Sequence, residues 1–286
     1  MSTFFFAFLG LIVGSFLNVL VLRWGAATLG GRSACMSCAA TIRWYDNIPL
    51  VSWLLLRGRC RECGSVISVQ YPLVELSTGV LFALIGGTAH VPLDSSGVYP
   101  GLILLLSCAI GALLIAIAVY DIRHTIIPDA WAYTFALAAF SLGFLAPIAW
   151  LSQYNPFLFM VSGPLAAVPL FALWAVSRGR WMGFGDVKLA LGIGWLLGPL
   201  NGIFAVFLAF IIGAVVSLPL LLISSRAFRR LVAGFTHTPT SQKSVCGFTM
   251  KSEIPFGPFL VLSCIIVWLS LMYGVEPLSI LGLLPL

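Results

Sequence analysis

The chain has 286 residues, of which 60% are hydrophobic and only 8% are charged. Its mean hydropathy is +1.08, and a water-soluble fold of this size cannot bury so much apolar surface. A soluble protein is therefore excluded. The net charge of +6 would suit a nucleic-acid partner, but the Lys and Arg residues lie in loops between apolar runs, so no nucleic-acid binding is expected.

Eight apolar runs predict transmembrane helices, each of which needs about 20 residues to cross the hydrocarbon core. The runs are Phe4–Leu22, Pro72–Ala89, Leu102–Tyr120, Ile126–Trp150, Phe157–Ser177, Val187–Leu200, Ile203–Ser225 and Phe256–Tyr273. The sixth run is short and rich in glycine, and we expect its break from the seventh at Pro199–Gly202. The first run lacks the basic start and the cleavage site of a secretory signal, so it should remain attached.

The basic residues indicate the orientation of these helices. With eight spans, all fifteen Lys and Arg residues fall in alternate loops and thus on one side of the membrane. The positive-inside rule makes that side cytoplasmic and places both termini outside. The sequence therefore predicts an all-α polytopic membrane protein with a first helix at 1–22, a cytoplasmic loop domain at 23–71 and a helical core at 72–286.

Four of the seven cysteines form two pairs inside the first loop. Cys35 and Cys38 make one CxxC motif, and Cys60 and Cys63 make the second. This spacing is typical of two knuckles that hold one zinc ion with four thiolates. Two disulfides are the alternative, although they are rare in a reducing cytoplasm. We expect a closed, structural zinc site.

The other three cysteines carry no motif. Cys108 and Cys264 lie within apolar runs and are expected to be inert core residues. Cys246 follows the seventh run and is expected to be a free thiol, with no role indicated.

Two aspartates are candidates for catalysis. Asp121 ends the third predicted helix and Asp186 begins the sixth, in the sequence Gly183-Phe-Gly185-Asp186. Because the third helix runs inward and the sixth outward, both carboxylates reach the cytoplasmic edge of the bilayer and can meet. Two facing carboxylates that share a proton can activate water for peptide hydrolysis. Gly183 and Gly185 would allow the backbone to approach a partner or an extended substrate.

A purely structural interpretation of these aspartates is also available. Asp121 could pair with Arg123 or reach the headgroups, and Asp186 could cap the sixth helix.

Three further titratable residues lie near the same edge of the bilayer. Asp129 is interpreted as a helix-start residue, because it follows Pro128 at the beginning of the fourth run. Glu75 could be functional or structural, since a lone carboxylate inside a span is costly. His124 could touch Asp121, but its position also suits an ordinary interfacial residue.

Several short motifs, in this order and spacing, resemble those of type IV prepilin peptidases, which are bifunctional leader peptidases and N-methyltransferases. The matching segments cover nearly the whole chain: Gly14–Val19, the two CxxC pairs, Trp44–Pro49, Ser52–Trp53, Arg57–Cys60, Ile67–Ser68, Tyr71–Pro72 with Glu75, Asp121–Asp129, Gly183–Lys188 and Ile254–Pro258.

The resemblance implies a function and assigns residues to it. Asp121 and Asp186 would be the catalytic aspartates of a GxGD-type intramembrane protease of the bacterial inner membrane, and the four cysteines its zinc-binding domain. The substrates would be prepilins and pseudopilins of pilus and type II secretion systems. They would be cut after glycine behind a short basic leader and then methylated from S-adenosylmethionine. No glycine-rich loop marks a site for the methyl donor.

Two other function classes fit a multi-spanning chain. A transporter would also carry buried acids, but these usually lie near the membrane midplane on interrupted helices. An assembly scaffold that docks partners through the zinc loop would leave the Gly-x-Gly-Asp motif unexplained. Cleavage of a prepilin peptide separates the peptidase from both.

Overall fold

Each of the eight predicted apolar runs corresponds over most of its length to one helix. The computed structural model of the protein describes residues 2–25, 30–88, 100–145, 151, 155–224 and 255–280. The long helices are α1 (Ser2–Arg23), α3 (Gln70–Gly87), α4 (Pro100–His124), α5 (Asp129–Leu145), α6 (Pro156–Ser177), α7 (Phe184–Leu197), α8 (Pro199–Ser224) and α9 (Gly257–Met272). Two short helices, α2 (Val51–Leu55) and α10 (Pro277–Ile280), and a 3₁₀ turn at Trp44–Asn47 complete the described helices.

Four of these helices are long and apolar enough to cross a membrane by themselves: Thr3–Arg23, Gly101–His124, Pro156–Ser177 and Pro199–Pro219. Helix α9 is apolar but shorter. Helix α7 has 14 residues and is thus only about 21 Å long. The all-α, multi-pass architecture is confirmed, while the count of eight spans stays a prediction.

The break between the sixth and seventh predicted helices is shorter than the sequence suggested. Helix α7 ends at Leu197 and α8 begins at Pro199, so Gly198 alone separates them. Gly198 has a φ of +84°, which a residue with a side chain rarely adopts. Proline suits the first position of a helix because its missing N–H needs no partner there. Leu200 and the residues up to Gly202 therefore belong to α8, and the predicted boundary was wrong.

Helices α1 and α3 pack antiparallel and very closely through small residues. A Cβ atom at Gly14 would lie 2.7 Å from the Cα atom of Glu75, and one at Gly10 would lie 2.8 Å from the Cα atom of Gly79. Glycine is therefore required at these crossing points, as is usual where transmembrane helices approach closely. This pair fixes the level of the loop at 24–69 that joins the two helices.

Helix α7 is the most enclosed helix and packs against α5, α6, α8 and α9. Its glycines allow this contact: a Cβ atom at Gly192 would collide with the ring of Phe135, and one at Gly194 with the carbonyl oxygen of Ser162. Helix α9 also packs against α4. The end of α4 and the start of α7 are therefore held together by a third helix.

Candidate active site

Asp121 and Asp186 are both buried where α4 ends and α7 begins. Asp121 lies in the last turn of α4 with 4% of its surface exposed, and Asp186 lies in the first turn of α7 with 7% exposed. Carboxylates are almost never buried without a reason in catalysis or pairing. Gly185, next to Asp186, and Gly257, which binds Asp121, both pack against Ile127, so the two aspartates lie at one site.

The start of α9 supplies a direct partner for one aspartate. The backbone N–H of Gly257 donates to Oδ2 of Asp121 over 3.0 Å. A Cβ atom at residue 257 would lie 2.5 Å from the same oxygen, so only glycine lets the backbone come this near. The contact holds one carboxylate oxygen of Asp121, and Gly257 is a site residue whose role the sequence did not reveal.

Ile127, in the turn between α4 and α5, packs between two glycines of the site. A Cβ atom at Gly185 would lie 3.0 Å from Cβ of Ile127, and one at Gly257 would lie 3.3 Å from its Cδ1. Ile127 is buried and has no polar group of its own. It acts as a spacer that fixes the ends of α4, α7 and α9 relative to one another.

Gly183 differs from Gly185 in its surroundings. It precedes α7 in an extended conformation, with φ −75° and ψ 153°, and the nearest atom to a Cβ placed there would be 3.9 Å away. The segment before α7 therefore has open space on this side, at the residue that leads into Asp186.

The structural alternatives for the two aspartates do not match their contacts. Arg123 donates to Oε1 of Gln70 over 2.9 Å, and the position before the first residue of α7 is occupied by Gly183, not Asp186. His124 is exposed and its ring lies against that of Tyr120, with centroids 4.4 Å apart.

Asp129 is the first residue of α5, as the sequence suggested, and it also pairs with a basic residue of α7. Nζ of Lys188 lies 2.6 Å from Oδ1 of Asp129, and it lies over the rings of Tyr133 and Phe184 at 5.2 and 5.3 Å. This ion pair connects the starts of α5 and α7 next to the aspartates. The pairing was not predicted, because the two residues are far apart in the sequence.

Glu75 is buried in α3, with 7% of its surface exposed. Its Oε2 accepts a hydrogen bond from the backbone N–H of Leu50 over 2.8 Å, and the Ser15 side chain is a further partner. The carboxylate therefore ties the loop of the cysteines to the α1–α3 pair, and the structure places it there instead of beside Asp121.

The four predicted zinc ligands lie together. The Sγ atoms of Cys35, Cys38, Cys60 and Cys63 all lie within 4.8 Å of one another, and Sγ of Cys35 is 3.9 Å from Sγ of Cys63. Thiolates bound tetrahedrally at about 2.3 Å from one zinc ion are separated by nearly this distance. All four cysteines are free of disulfides.

The two CxxC motifs have equivalent backbone conformations. The N–H of Cys35 donates to the carbonyl of Ala40, and the N–H of Cys60 donates to that of Ser65. The residue after each motif, Ala39 or Gly64, has a positive φ of 56° or 68°. Each motif thus forms a tight turn that directs its two thiols to the same point.

Hydrogen bonds within the cluster favour thiolates at some of its positions. Backbone N–H groups of Cys38 and Ser37 lower the pKa of Cys35 to about 6, and the Ser65 hydroxyl lowers the pKa of Cys63. The Ala40 backbone N–H also lowers the pKa of Cys38. Desolvation and the thiols of Cys63 and Cys35 nevertheless raise it to about 11 overall. Such a donor set suits a cation that neutralises several thiolates at once.

The remaining cysteines follow the sequence interpretation as far as the structure describes them. Cys108 and Cys264 are buried in α4 and α9. Cys246 lies outside the described residues.

Comparison with known families gives two adjacent matches. Residues 8–88 match the family "Bacterial Peptidase A24 N-terminal domain", and residues 108–218 match the "Type IV leader peptidase family". The first match contains the four cysteines and Glu75, and the second contains both aspartates. No solved structure matches the chain.

Several curated proteins are similar over much of the chain. The "Type 4 prepilin-like proteins leader peptide-processing enzyme" of Escherichia coli is 37% identical over 219 residues, covering 67% of this chain and 76% of that protein. A "Prepilin leader peptidase/N-methyltransferase" of Myxococcus xanthus is 35% identical over 226 residues, covering 77% of this chain and 63% of the relative. A protein of the same name from Dichelobacter nodosus is 28% identical, and the alignment covers 96% of that protein. The chain therefore belongs to the type IV leader peptidase family.

Proposed function

We propose that this protein removes the leader peptide from type IV prepilins and pseudopilins by means of Asp121 and Asp186. The observation that carries the proposal is the pair of buried carboxylates at the end of α4 and the start of α7, which the packing of Gly257 and Gly185 against Ile127 brings to one site. The relatives named as prepilin leader peptidases support the same reaction.

The chemistry needs two carboxylates with different protonation. One aspartate takes a proton from water as the water attacks the scissile carbonyl, and the other donates a proton to the departing amine. The Gly257 N–H holds Oδ2 of Asp121, and Oδ1 would face water or substrate. Burial keeps both groups away from bulk water and strengthens their mutual influence.

The substrate would approach along the segment that precedes α7. Gly183 is extended and has open space beside it, so an extended peptide could lie next to the backbone there and present its scissile bond to Asp186. By family resemblance the bond follows a glycine, behind a short basic leader. Gly183 and Gly185 would thus be active-site residues through their lack of side chains.

The second proposed activity is methylation of the new amino terminus, which the names of the relatives include. S-adenosylmethionine would supply an electrophilic methyl group. A cleft of about 500 Å³ lies on the cysteine loop. Its lining includes Arg32, Arg43, Trp44, Tyr45 and Asn47. The guanidinium groups suit a carboxylate and the aromatic rings suit a purine.

The methyl-donor cleft can be tested without any turnover. Binding of S-adenosylmethionine to the purified protein, measured by calorimetry, should weaken strongly in Trp44→Ala. Replacing Met36, which is exposed outside the cleft lining, with Ala should leave binding unchanged. Equal affinities of both variants and the parent protein would reject this location.

We propose zinc as the metal of the four-cysteine cluster. Four thiolates leave no coordination position for substrate, so the ion would hold the loop together without taking part in either reaction. Cys35, Cys38, Cys60 and Cys63 would be its ligands, and the fold of the two CxxC turns supports this assignment.

The protein is proposed to reside in the bacterial inner membrane, with eight spans, both termini outside and the zinc loop in the cytoplasm. The one-sided distribution of basic residues supports this orientation. The relatives, which are named as processing enzymes of prepilins, support the compartment.

Incubation of the purified protein in detergent with a prepilin peptide tests the proposal most directly. Mass spectrometry should show a product that lacks the leader and, with S-adenosylmethionine present, gains one methyl group. A transporter or an assembly scaffold would leave the peptide intact. Failure to cleave by folded, metal-loaded protein would reject the proposed function.

A further inference from the structure

The loop that carries the cysteines contains an apolar helix face without a partner among the described residues. In α2, the side chains of Val51, Leu54 and Leu55 are 49%, 66% and 78% exposed. They share one side of the helix, because they are three and four residues apart. The opposite side holds Ser52, whose hydroxyl donates to the carbonyl of Tyr45, and Trp53, which contacts Gly58.

The level of α2 relative to the membrane follows from its contact with Glu75. The N–H of Leu50, directly before α2, donates to Oε2 of Glu75, and Glu75 lies beside Gly14 of α1. Gly14 precedes the basic end of α1, Arg23, by nine residues, which corresponds to about 13 Å of helix. The Glu75 side chain leans toward the start of α3, and Leu50 therefore lies between the levels of Gly14 and Arg23.

A second contact gives the level at which α3 begins. Nδ2 of Asn18 donates to the carbonyl oxygen of Tyr71 over 3.2 Å, so the first turn of α3 is already level with the apolar part of α1. Near that level Val69, directly before α3, and Leu73 and Leu76 of α3 are 55%, 59% and 48% exposed, as residues that contact lipid would be. Because Leu50 is bonded to Glu75 one turn further along α3, the chain turns back toward the level of α1 and α3 before α2 begins.

The backbone at this turn is unusual and is held by the buried carboxylate. Leu50 has φ +59° and ψ −49°, a conformation that is rare for a residue with a side chain and persists only where its surroundings impose it. The hydrogen bond to Glu75 is that constraint. The residues after α2 include Arg57 and Arg59, both exposed, which suit anionic headgroups.

We propose that residues 48–55 form a re-entrant wedge, in which Val51, Leu54 and Leu55 insert into the lipid at the edge of the bilayer and Glu75 fixes the depth of the turn. The wedge seats the four-cysteine cluster against the membrane surface. The proposal relies on α1 and α3 as membrane-spanning helices. It does not depend on the cleavage reaction, which a separate assay measures.

Photocrosslinking in reconstituted vesicles tests the wedge. The photoreactive residue p-benzoylphenylalanine replaces Leu55 in the full chain, and Met36, which is 85% exposed in the first CxxC turn, is replaced in the control. The vesicles contain phosphatidylcholine and phosphatidylglycerol. Irradiation should give phospholipid adducts, identified by mass spectrometry, at position 55 and few or none at position 36. Equal lipid labelling at both positions, or none at 55, would overturn the proposal.

Two further reactions test the role of Glu75 and distinguish lipid from substrate at this face. Glu75→Ala removes the acceptor for Leu50 and should greatly reduce lipid adducts at position 55, whereas Glu75→Gln keeps an acceptor oxygen and should retain them. A prepilin peptide with its apolar segment is added in a parallel reaction. Adducts to that peptide in place of lipid would show that the face binds substrate, and would refute the lipid assignment.

Discussion

Asp121 and Asp186 are buried carboxylates that are held in place by uncharged neighbours. Asp121 has a backbone N–H from Gly257, and Gly185 next to Asp186 packs on Ile127. The surroundings are apolar and glycine-rich, and the basic residues nearby pair elsewhere, Lys188 with Asp129 and Arg123 with Gln70. Both aspartates therefore remain available for proton transfer.

Asp121→Asn and Asp186→Asn should each reduce leader cleavage by roughly 10²- to 10⁴-fold, since an amide cannot accept and return the proton. The double variant should be little worse than either single one, because the two groups act as a unit. Cleavage rates with a prepilin peptide measure this. Helix content and membrane insertion should be unchanged, and methylation of an already cleaved pilin should continue. Near-normal cleavage by either folded variant would reject the pair as the catalytic centre.

Gly257→Ala should also impair cleavage, because its Cβ atom would lie 2.5 Å from Oδ2 and 3.1 Å from Cγ of Asp121. A displacement of this order at a reacting group can reduce the rate about 10²-fold. Gly101→Ala in α4 is the matched control, since a Cβ atom there meets nothing within 4 Å. The same rate for both variants would show that the Gly257 contact does not position Asp121.

At the scale of elements, the cysteine loop is held by three kinds of contact. The two CxxC turns form one thiol cluster, the ion pair of Arg61 and Asp46 joins the second turn to the 3₁₀ turn, and Glu75 ties Leu50 to α3. The ion pair is partly solvated and adds little stability. The loop should thus depend mainly on the proposed zinc ion.

Elemental analysis should find about one zinc ion per chain, because four thiolates complete its coordination. Cys60→Ser should lower the zinc content and make residues 30–69 more sensitive to protease. The membrane helices should stay intact, since their backbone hydrogen bonds need no metal.

Cys108→Ala serves as the control, because Cys108 is buried in α4 away from the loop. It should retain the zinc content of the parent protein. Metal-free protein with disulfides among the four cysteines, when kept under reducing conditions, would contradict the assignment.

For the whole molecule, the distribution of charge predicts the orientation. Because the fifteen basic residues fall in alternate loops or at the helix ends beside them, that side should face the cytoplasm. Five of these basic residues, from Arg226 to Lys251, lie outside the described residues. The orientation is accessible to chemical labelling.

Single cysteines at Ser96 or Ser279 should react with a membrane-impermeant thiol reagent in intact cells, whereas those at Ser33 or Ser241 should react only after lysis. The protein background lacks other cysteines, and an immunoblot confirms equal expression. Labelling at position 33 or 241 in intact cells would contradict the predicted topology.

The sequence alone determined the helices, the cysteine cluster and the level of the two aspartates. Long apolar runs can only be helices in lipid, the CxxC spacing limits where four thiols can point, and alternating helix direction brings Asp121 and Asp186 to the same edge. These features depend on local pattern and on the membrane, and both can be read along the chain.

Only the tertiary structure decided which groups touch. The Gly257 N–H on Asp121, the Ile127 spacer, the Asp129–Lys188 pair and the bond from Leu50 to Glu75 each join residues that are distant in the sequence or carry no motif. The sequence also placed the break between the sixth and seventh helices at Pro199–Gly202 instead of at Gly198. A single glycine with positive φ suffices to end one helix before a proline begins the next. Such contacts depend on how separate helices pack, and packing is set by side-chain shape across the whole bundle, which no local pattern encodes.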